Sequence, residues 1–189
     1  MEDSGIGFAP IKIDSGKNIH VISGVSGQLL KVDDQLNRLG EVSQPFPALI
    51  TSSTIVKEKW IGVWVERDLR QARMAAFDLN ESWSDGETKA ELRSNKLDSV
   101  LHPSSNIWSQ ILDSEPTALS NVENSICFST INRGIYRIND ESKEIWRAEI
   151  PEWKQISKIN SLDEIIGFLN TEEGTILFSK AGGFAVIDG

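Results

Sequence analysis

The sequence contains one cysteine and only two histidines, which limits its chemistry. A single cysteine cannot form a disulfide within the chain, so nothing indicates an oxidising compartment. A metal site needs three or four closely spaced ligands. Cys127, His20 and His102 are too few and too far apart to form one. Cys127 also lies between Ile126 and Phe128, which indicates a buried thiol and not a nucleophile. We predict no catalytic residue, no metal and no cofactor.

Long apolar runs and excess positive charge are also missing. No stretch approaches the roughly 18 apolar residues of a membrane-spanning helix. The first ten residues, MEDSGIGFAP, have no apolar core typical of a secretory signal. The net charge of −9 repels phosphate backbones and anionic lipid surfaces. We therefore expect a soluble cytoplasmic protein with the composition of an ordinary globular protein, and neither nucleic acid nor membrane as a partner.

A repeat is the main positive feature of the sequence. An apolar run, a Gly-containing turn, a second apolar run, a polar turn and a third strand occur in residues 18–42, 124–150 and 163–188. Gly27, Gly134 and Gly174 occupy the first turn of each copy, where a tight hairpin requires positive φ. Gly134 and Gly174 are 40 residues apart, whereas Gly27 and Gly134 are 107 apart. The longer gap indicates a hidden copy.

The hidden copy comprises KWIGVWVE (59–66), RDLRQA (67–72), RMAAFDLN (73–80) and NIWSQI (106–111), with an insertion at about 81–105. Its last segment matches KEIWRAEI (143–150). With this copy the chain divides into four units, at about 8–42, 47–111, 117–150 and 154–188. Their predicted strands lie near 8–13, 18–23, 28–33 and 36–42; 47–52, 59–66, 73–79 and 106–111; 117–121, 125–130, 134–139 and 144–150; and 154–160, 164–169, 174–179 and 183–188.

The strands differ in character according to their position in the unit. Second strands such as 59–66 are apolar on both faces and must be covered on both. Fourth strands carry charges that discourage edge pairing, at Arg38, Glu41, Arg147 and Glu149. Four-stranded antiparallel units of this kind stack radially as blades. We predict an all-β protein, a β-propeller of four four-stranded blades forming one domain over 1–189, either as a closed ring or as a partial propeller.

The chain resembles the β-propeller repeat superfamily, in the manner of WD-repeat and PQQ-like repeat proteins. The Gly-His and Trp-Asp dipeptides of true WD repeats are absent, and the tryptophans occur as Ile-Trp at 107–108 and 145–146. No specific family is indicated. The resemblance implies a scaffold that binds other proteins, although a fold does not by itself assign a function.

Five residues are candidate binding residues: Trp83, Arg67, Arg70, Arg73 and His102. Trp83 lies in the polar insertion and is either an exposed binding anchor or a cover for blade two. The three arginines mark the hairpin 67–73, which could pair with an acidic partner or with the acidic insertion of its own chain. His102 belongs to the insertion, whose residues 89–102 have the loose spacing of a short helix.

Three functions remain open at this point. The leading hypothesis is a non-enzymatic scaffold that binds a protein or peptide through insertion 81–105 and hairpin 67–73. An alternative is a lectin- or glycosidase-like site for a sugar or small molecule, built from acids at the channel mouth. Those acids, Asp33, Asp78, Asp140 and Asp188, recur as turn residues would. The third is a partial propeller that acts within a larger assembly, for example a homo-oligomer that completes the ring.

Overall fold

The computed structural model describes residues 5–94, 102–154 and 164–187. Within these ranges the chain forms fourteen β-strands, one 3-10 turn and one short α-helix, arranged as four antiparallel sheets. The chain divides into two compact units, Met1–Ile111 and Leu112–Gly189, which correspond to the predicted blades one and two and blades three and four. The all-β prediction is confirmed. The prediction of one domain over 1–189 stays a prediction.

The first unit contains two sheets. Blade one consists of β1 (Pro10–Ser15), β2 (His20–Gly24) and β3 (Leu29–Val32), in that order. Blade two consists of β4 (Leu49–Val56), β5 (Lys59–Glu66), β6 (Gln71–Asp78) and β7 (Trp108–Leu112), also in chain order. Residues 67–69 form the 3-10 turn between β5 and β6, and the helix α1 (Lys89–Ser94) lies in the insertion between β6 and β7. The interrupted second blade is therefore present as predicted.

The predicted fourth strand of blade one, at 36–42, is wrong. Only isolated bridges join Val32 to Arg38 and Leu29 to Ser43. The reason is local: the Oδ1 atom of Asp33 accepts hydrogen bonds from the backbone N–H groups of residues 35 and 37, at 2.9 and 2.8 Å. This side-chain turn places Leu36 at a φ of 65°. A chain held in a turn cannot extend alongside its neighbour.

The second unit repeats the arrangement. Blade three is β8 (Pro116–Val122), β9 (Ser125–Thr130), β10 (Gly134–Ile138) and β11 (Glu144–Ala148). Blade four is β12 (Ile165–Thr171), β13 (Gly174–Ser179) and β14 (Phe184–Ile187). The strand predicted at 154–160 lies outside the described residues beyond residue 154.

The glycine turns behave as the repeat predicts. Gly27, Gly134 and Gly174 have φ values of 89°, 147° and 126°. A Cβ atom on Gly27 or Gly134 would lie 2.6 Å from a backbone carbonyl oxygen of residue 48 or 148. Both the backbone conformation and the available space therefore require glycine. Blade two lacks a glycine at this turn, and Arg70 takes the left-handed conformation instead, with a φ of 53°.

The core of the first unit lies between its two sheets. One face of blade two presents Trp60, Trp64 and Phe77, all almost fully buried, toward Val21 and Leu29 of blade one. The ring centroids of the three aromatic side chains are 5.6–5.7 Å apart, in edge-to-face and tilted geometry.

A buried polar contact crosses this core. The indole N–H of Trp60 donates to Asp14 Oδ2 of blade one at 2.8 Å, and Ser53 Oγ donates to the same oxygen. Lys12 pairs with Asp14 Oδ1 at 2.7 Å. Since a buried carboxylate is costly without such partners, these contacts fix how the two blades meet.

The second unit has its own core between blades three and four. Cys127 and Ile135 of blade three pack with Ile165 and Leu177 of blade four, and all four are fully or almost fully buried. The opposite face of blade four differs. It exposes large apolar side chains whose exposed fractions range from 39% to 68%: Ile166, Leu169, Phe178, Phe184 and Val186.

Candidate functional site

One end of the first unit gathers its connecting segments, and we call it the insertion end. It comprises the β2–β3 turn (25–28), the link between blades one and two (43–48), the β5–β6 hairpin (67–70) and insertion residues 85–94, which reach this end although the insertion begins at the opposite end of β6. Connecting segments at the end of a β-scaffold are where binding residues concentrate. The contacts within these segments show which side chains remain available.

Trp83 holds the start of the insertion against blade two. Its ring lies 5.3 Å from that of Phe77 and 5.9 Å from that of Trp60, and its indole N–H donates to the carbonyl oxygen of Asp78 at 2.8 Å. The Lys31 ammonium lies 4.9 Å from the Trp83 ring centroid. The side chain is therefore half-buried and covers blade two, which is the second of the two interpretations of Trp83 given above.

Lys31 fixes the same segment from blade one. Its ammonium group donates to the backbone carbonyl oxygens of Leu79, at 2.9 Å, and of Glu81. Burial lowers the pKa of Lys31, while the nearby carboxylates of Asp78 and Glu81 oppose that shift. The insertion thus begins from a point that both blades of the unit hold in place.

The next part of the insertion is hydrogen-bonded to the link. The N–H of Gln44 donates to Asp85 Oδ1 at 2.7 Å, and the N–H of Gly86 donates to the Gln44 carbonyl at 3.0 Å. A Cβ atom on Gly86 would lie 2.0 Å from the Pro45 carbonyl oxygen, so the two backbones can approach this closely only with glycine. The Ser104 N–H also donates to that oxygen, at 2.9 Å.

The helix α1 docks on the hairpin side. Thr88 and Glu91 form a reciprocal cap: Thr88 N donates to Glu91 Oε2 at 2.7 Å, and Glu91 N donates to Thr88 Oγ1 at 3.3 Å. Leu92 is buried in the core of the first unit. The predicted short helix at 89–102 is thus present as Lys89–Ser94, and residues 95–101 lie outside the described ranges.

Two ion pairs join the helix to the hairpin. Lys89 lies 3.3 Å from Glu66, and Arg93 lies 3.2 Å from Asp68. The sequence leaves two partners open for the hairpin arginines, an acidic partner or the acidic insertion of the same chain. In these two pairs the polarity is reversed, because the insertion supplies the cations and the hairpin region supplies the acids.

A pocket of about 530 Å³ opens among these segments. Its lining combines apolar side chains of Val25 and Leu49 with Gln44 and with insertion residues 85–89. Asp85 and Glu87 contribute carboxylates, while the positive charge of Lys89 is paired with Glu66. The pKa of Glu87 is raised because Glu91 hydrogen-bonds and repels it, and Thr88 holds the pKa of Glu91 below its usual range.

The structure separates the five predicted binding residues into two groups. Arg67, Arg70 and His102 are exposed, whereas Trp83 is half-buried. Arg73 is buried in β6, where its guanidinium lies 5.8 Å from the Phe46 ring centroid and donates one long hydrogen bond, of 3.4 Å, to Ser109 Oγ. His102 Nδ1 contacts the same hydroxyl. Arg73 and His102 thus meet at Ser109.

The pocket itself was not predicted. Gln44, Gly86 and Leu49 line or shape it, and none of them stood out in the sequence. The signal that could have located the insertion's fixed part is the T-x-x-E pattern at Thr88–Glu91, a capping box that starts a helix. The glycine of SDGET is the second signal, because it marks a close backbone approach.

The predicted acids take turn positions where the structure describes them. Asp33 caps the turn after β3, and Asp78 Oδ1 accepts from the N–H of Asn80 at 2.9 Å. Asp140 lies in the β10–β11 turn, and Asp188 lies outside the described residues. Among the described residues no group of three or more His, Cys, Asp or Glu side chains is placed to hold a metal ion.

Comparison with solved structures identifies the fold. The computationally designed Ika4 protein matches with a TM-score of 0.59 at 12% identity, over 98% of this chain and 95% of that one. BamB from Moraxella catarrhalis matches with 0.57 at 13% identity, and the Neurospora crassa Pan2 WD40 domain with 0.56 at 12%. These are β-propeller proteins, so the predicted fold class is confirmed, and at such identities the likeness shows the fold alone.

The larger propellers exceed this chain in length. The match covers 95–96% of this chain but only 42% of BamB and 47% of the Pan2 domain. No family model and no curated protein sequence matches the chain. In the part of the chain that is described, no helix is long and apolar enough to cross a membrane.

Proposed function

We propose that this protein is a non-enzymatic β-propeller scaffold that binds a peptide segment of another protein at the insertion end. The observation that carries the proposal is the pocket of about 530 Å³ between the link, the β2–β3 turn and the insertion. Pockets of roughly 300–1,000 Å³ are the size that receives a small ligand or a few side chains. Propellers commonly present such segments to partners, which agrees with the fold.

Preorganisation supports binding at this place. The insertion is fixed by the Trp83 contacts, by its hydrogen bonds to Gln44 and Pro45 and by the two ion pairs of α1. An insertion held in place by these contacts loses little conformational entropy when a partner binds. Trp83 then positions the insertion. Arg67, Arg70 and His102 are exposed but do not line the pocket, and they are proposed to contact acidic residues of the partner outside the bound segment.

The lining indicates the chemistry of the segment. Val25 and Leu49 are exposed apolar side chains within the lining, and Asp85 and Glu87 lie beside them. The chain as a whole carries a net charge of −9. An apolar side chain next to a lysine or arginine is therefore the complementary pattern, and the charged part of the affinity should weaken with salt.

The test is a selection from a displayed peptide library, followed by calorimetry of the selected peptides on purified variants. We expect enrichment of apolar residues next to Lys or Arg. Leu49→Glu should weaken binding at least about tenfold, since it places a charge in the lining. Glu87→Gln should weaken it less and reduce its salt dependence.

Ile145→Glu is the matched control, because Ile145 is similarly exposed but lies on β11 of blade three. It should leave the affinity unchanged. Deleting residues 81–105 is a poorer test, because Trp83 would leave the core of the first unit with it. If selected peptides bind wild type, Leu49→Glu and Ile145→Glu equally well, the pocket is not the binding site.

A further inference from the structure

The described residues include three buried cationic side chains, Lys31, Arg73 and Arg137. Lys31 donates to two backbone carbonyl oxygens and lies near two carboxylates. Arg137 donates from Nε to Ser125 Oγ at 2.6 Å, and its Nη2 pairs with Glu123 at 2.8 Å. Two of the three buried cations therefore have acceptors that offset the hydration they lose on folding.

Arg73 is the exception. Its Nη1 donates one long hydrogen bond, of 3.4 Å, to Ser109 Oγ, and its buried Nε–H has no acceptor among the described residues. Burial lowers the pKa of Arg73, and within the described ranges no carboxylate opposes that shift. Carboxylates and phosphates bind an arginine through two parallel hydrogen bonds, and the edge formed by Nε and Nη2 suits this geometry. The acceptor missing from Nε is therefore missing from that edge.

The surroundings of Arg73 do not supply the acceptor. The two acids of the hairpin region, residues 66 and 68, form ion pairs with α1. Trp64 lies directly opposite Arg73 in the pairing of β5 with β6, and its buried indole N–H also lacks an acceptor in the described part of the chain. Phe46 contacts both side chains and offers no acceptor, with its ring centroid 5.8 Å from the guanidinium and 6.1 Å from that of Trp64. Two buried donors thus adjoin each other.

His102 connects this group to the surface. His102 is exposed and Ser109 is half-buried, and His102 Nδ1 contacts the same hydroxyl that accepts from Arg73. That hydroxyl has its own proton free to donate to Nδ1, which leaves the imidazole proton on Nε2 as a further donor. None of these three residues lines the pocket at the insertion end.

We propose that Arg73, His102 and Ser109 form a binding site for an oxyanion, either a carboxylate or a phosphate group. The anion accepts two parallel hydrogen bonds from the guanidinium and one from the imidazole, and its charge balances that of the buried arginine. Rotation of the exposed imidazole, which is fast for a surface side chain, admits the anion. A carboxylate and a phosphate share this chemistry, so free anions distinguish them without any peptide.

The first experiment locates binding by NMR on the full chain. Inorganic phosphate and acetate are titrated separately, with sodium chloride holding the ionic strength constant. One of the two anions should shift the Arg73 Nε–H signal in a saturable way, and the anion that binds more tightly identifies the class of ligand. Arg73→Met assigns the signal. If neither anion shifts it, the proposal is wrong.

The second experiment measures thermal unfolding with the tighter anion at about ten times its Kd. Wild type should gain about 3–6 °C in Tm. Arg73→Met should gain nothing, and His102→Ala should need a several-fold higher anion concentration for the same gain. Arg70→Met, with its exposed arginine on the neighbouring hairpin, should gain as much as wild type.

Misfolding does not imitate this result, because Arg73→Met should be at least as stable as wild type when the anion is absent. The anion should then reverse or reduce the difference between the two proteins. Equal gains in wild type and Arg73→Met would place the anion elsewhere and overturn the proposal.

Discussion

Blades two and four come from the same repeat but differ in how they are covered. In blade two every large apolar side chain of β5 and β6 is at most 7% exposed. In blade four the outer face exposes five large apolar side chains. Both blades carry apolar residues on both faces of their strands, so the strand sequences alone do not explain the difference.

The cover of one face of blade two, the face of Trp60, Trp64 and Phe77, is assembled from elements outside the blade. Blade one supplies Val21 and Leu29, the link supplies Phe46, and the insertion supplies Trp83 and Leu92. The insertion therefore both shapes the pocket and closes a core. Among the described residues, blade four packs on the side of blade three, and the five large apolar side chains of its opposite face are exposed.

The largest expected contrast is between Trp60 and Phe184. Trp60→Ala removes a ring that contacts Trp64, Phe77 and Trp83 and donates to Asp14, so it should lower the free energy of unfolding by about 3–5 kcal/mol. Phe184→Ala should cost less than about 0.5 kcal/mol in the monomer, because the ring is mostly exposed. Urea titrations at low protein concentration measure both. Equal losses would show that the face of blade four is covered within one chain.

A second contrast lies inside blade two, at its buried cation. Arg73 is 4% exposed, its Nε–H has no acceptor among the described residues, and burial lowers its pKa. The long hydrogen bond to Ser109 does not offset the loss of hydration. Arg73→Met should therefore raise the free energy of unfolding by about 1–2 kcal/mol.

Arg70→Met is the control for that substitution, because Arg70 is exposed at the hairpin and should change stability by less than about 0.5 kcal/mol. Thermal or urea unfolding of the two variants decides the matter. Destabilisation by Arg73→Met would mean that the guanidinium is satisfied in solution, for example by water or by a bound anion.

Much of this fold can be predicted from the sequence, because the repeat is encoded in local patterns of apolar residues and turn glycines. The strand predicted at 59–66 is β5 to the residue, and Gly27 and Gly134 adopt the predicted positive φ. The error at 36–42 arose because apolar and charged spacing does not reveal that the Asp33 side chain will bind the next turn. An alternating pattern predicts which face of a strand is apolar, whereas this turn depends on the hydrogen bonds of a single carboxylate.

The site was less predictable because its contacts are not local. The insertion around Trp83 is polar, so nothing near it indicates the aromatic ring of Trp60, which comes 23 residues earlier in the sequence. Likewise Gly86 meets Pro45, a contact between distant segments that only the folded chain reveals. Arg73 reads as part of a charged hairpin, yet its register opposite Trp64 places it on the core face of blade two.

The packing of blade four on blade three can be tested through Cys127, which lies on β9 of blade three and packs against blade four. Burial raises the pKa of this thiol to about 12, and the charge of Arg137 opposes that shift. Because the folded pKa lies above the unfolded value of about 8.5, the thiol's contribution to stability is complete below that pH and is lost as pH rises toward 12. The slope is at most about 1.4 kcal/mol per pH unit.

The measurement is urea unfolding of wild type and Cys127→Ala at pH 8 and pH 10. The difference in free energy of unfolding between the two proteins should shrink by about 1–2 kcal/mol over that interval. A difference that does not change with pH would show that the thiolate is tolerated. Blade four would then cover Cys127 less tightly than blade one covers Trp60.

The smallest expected effect compares the same turn in the two blades. Arg70 in blade two and Gly174 in blade four both have positive φ, at 53° and 126°, but only the second is glycine. A side chain in the left-handed region costs about 1 kcal/mol. Arg70→Gly should therefore raise the free energy of unfolding by up to about 1 kcal/mol. Gly174→Ala should lower it by at least as much, because the new Cβ atom would also lie 3.1 Å from the Ile187 carbonyl oxygen.

If Arg70→Gly stabilises the protein and weakens binding of the selected peptides, strain at the hairpin is maintained by function. If it stabilises the protein and leaves binding unchanged, Arg70 has no part in the contact.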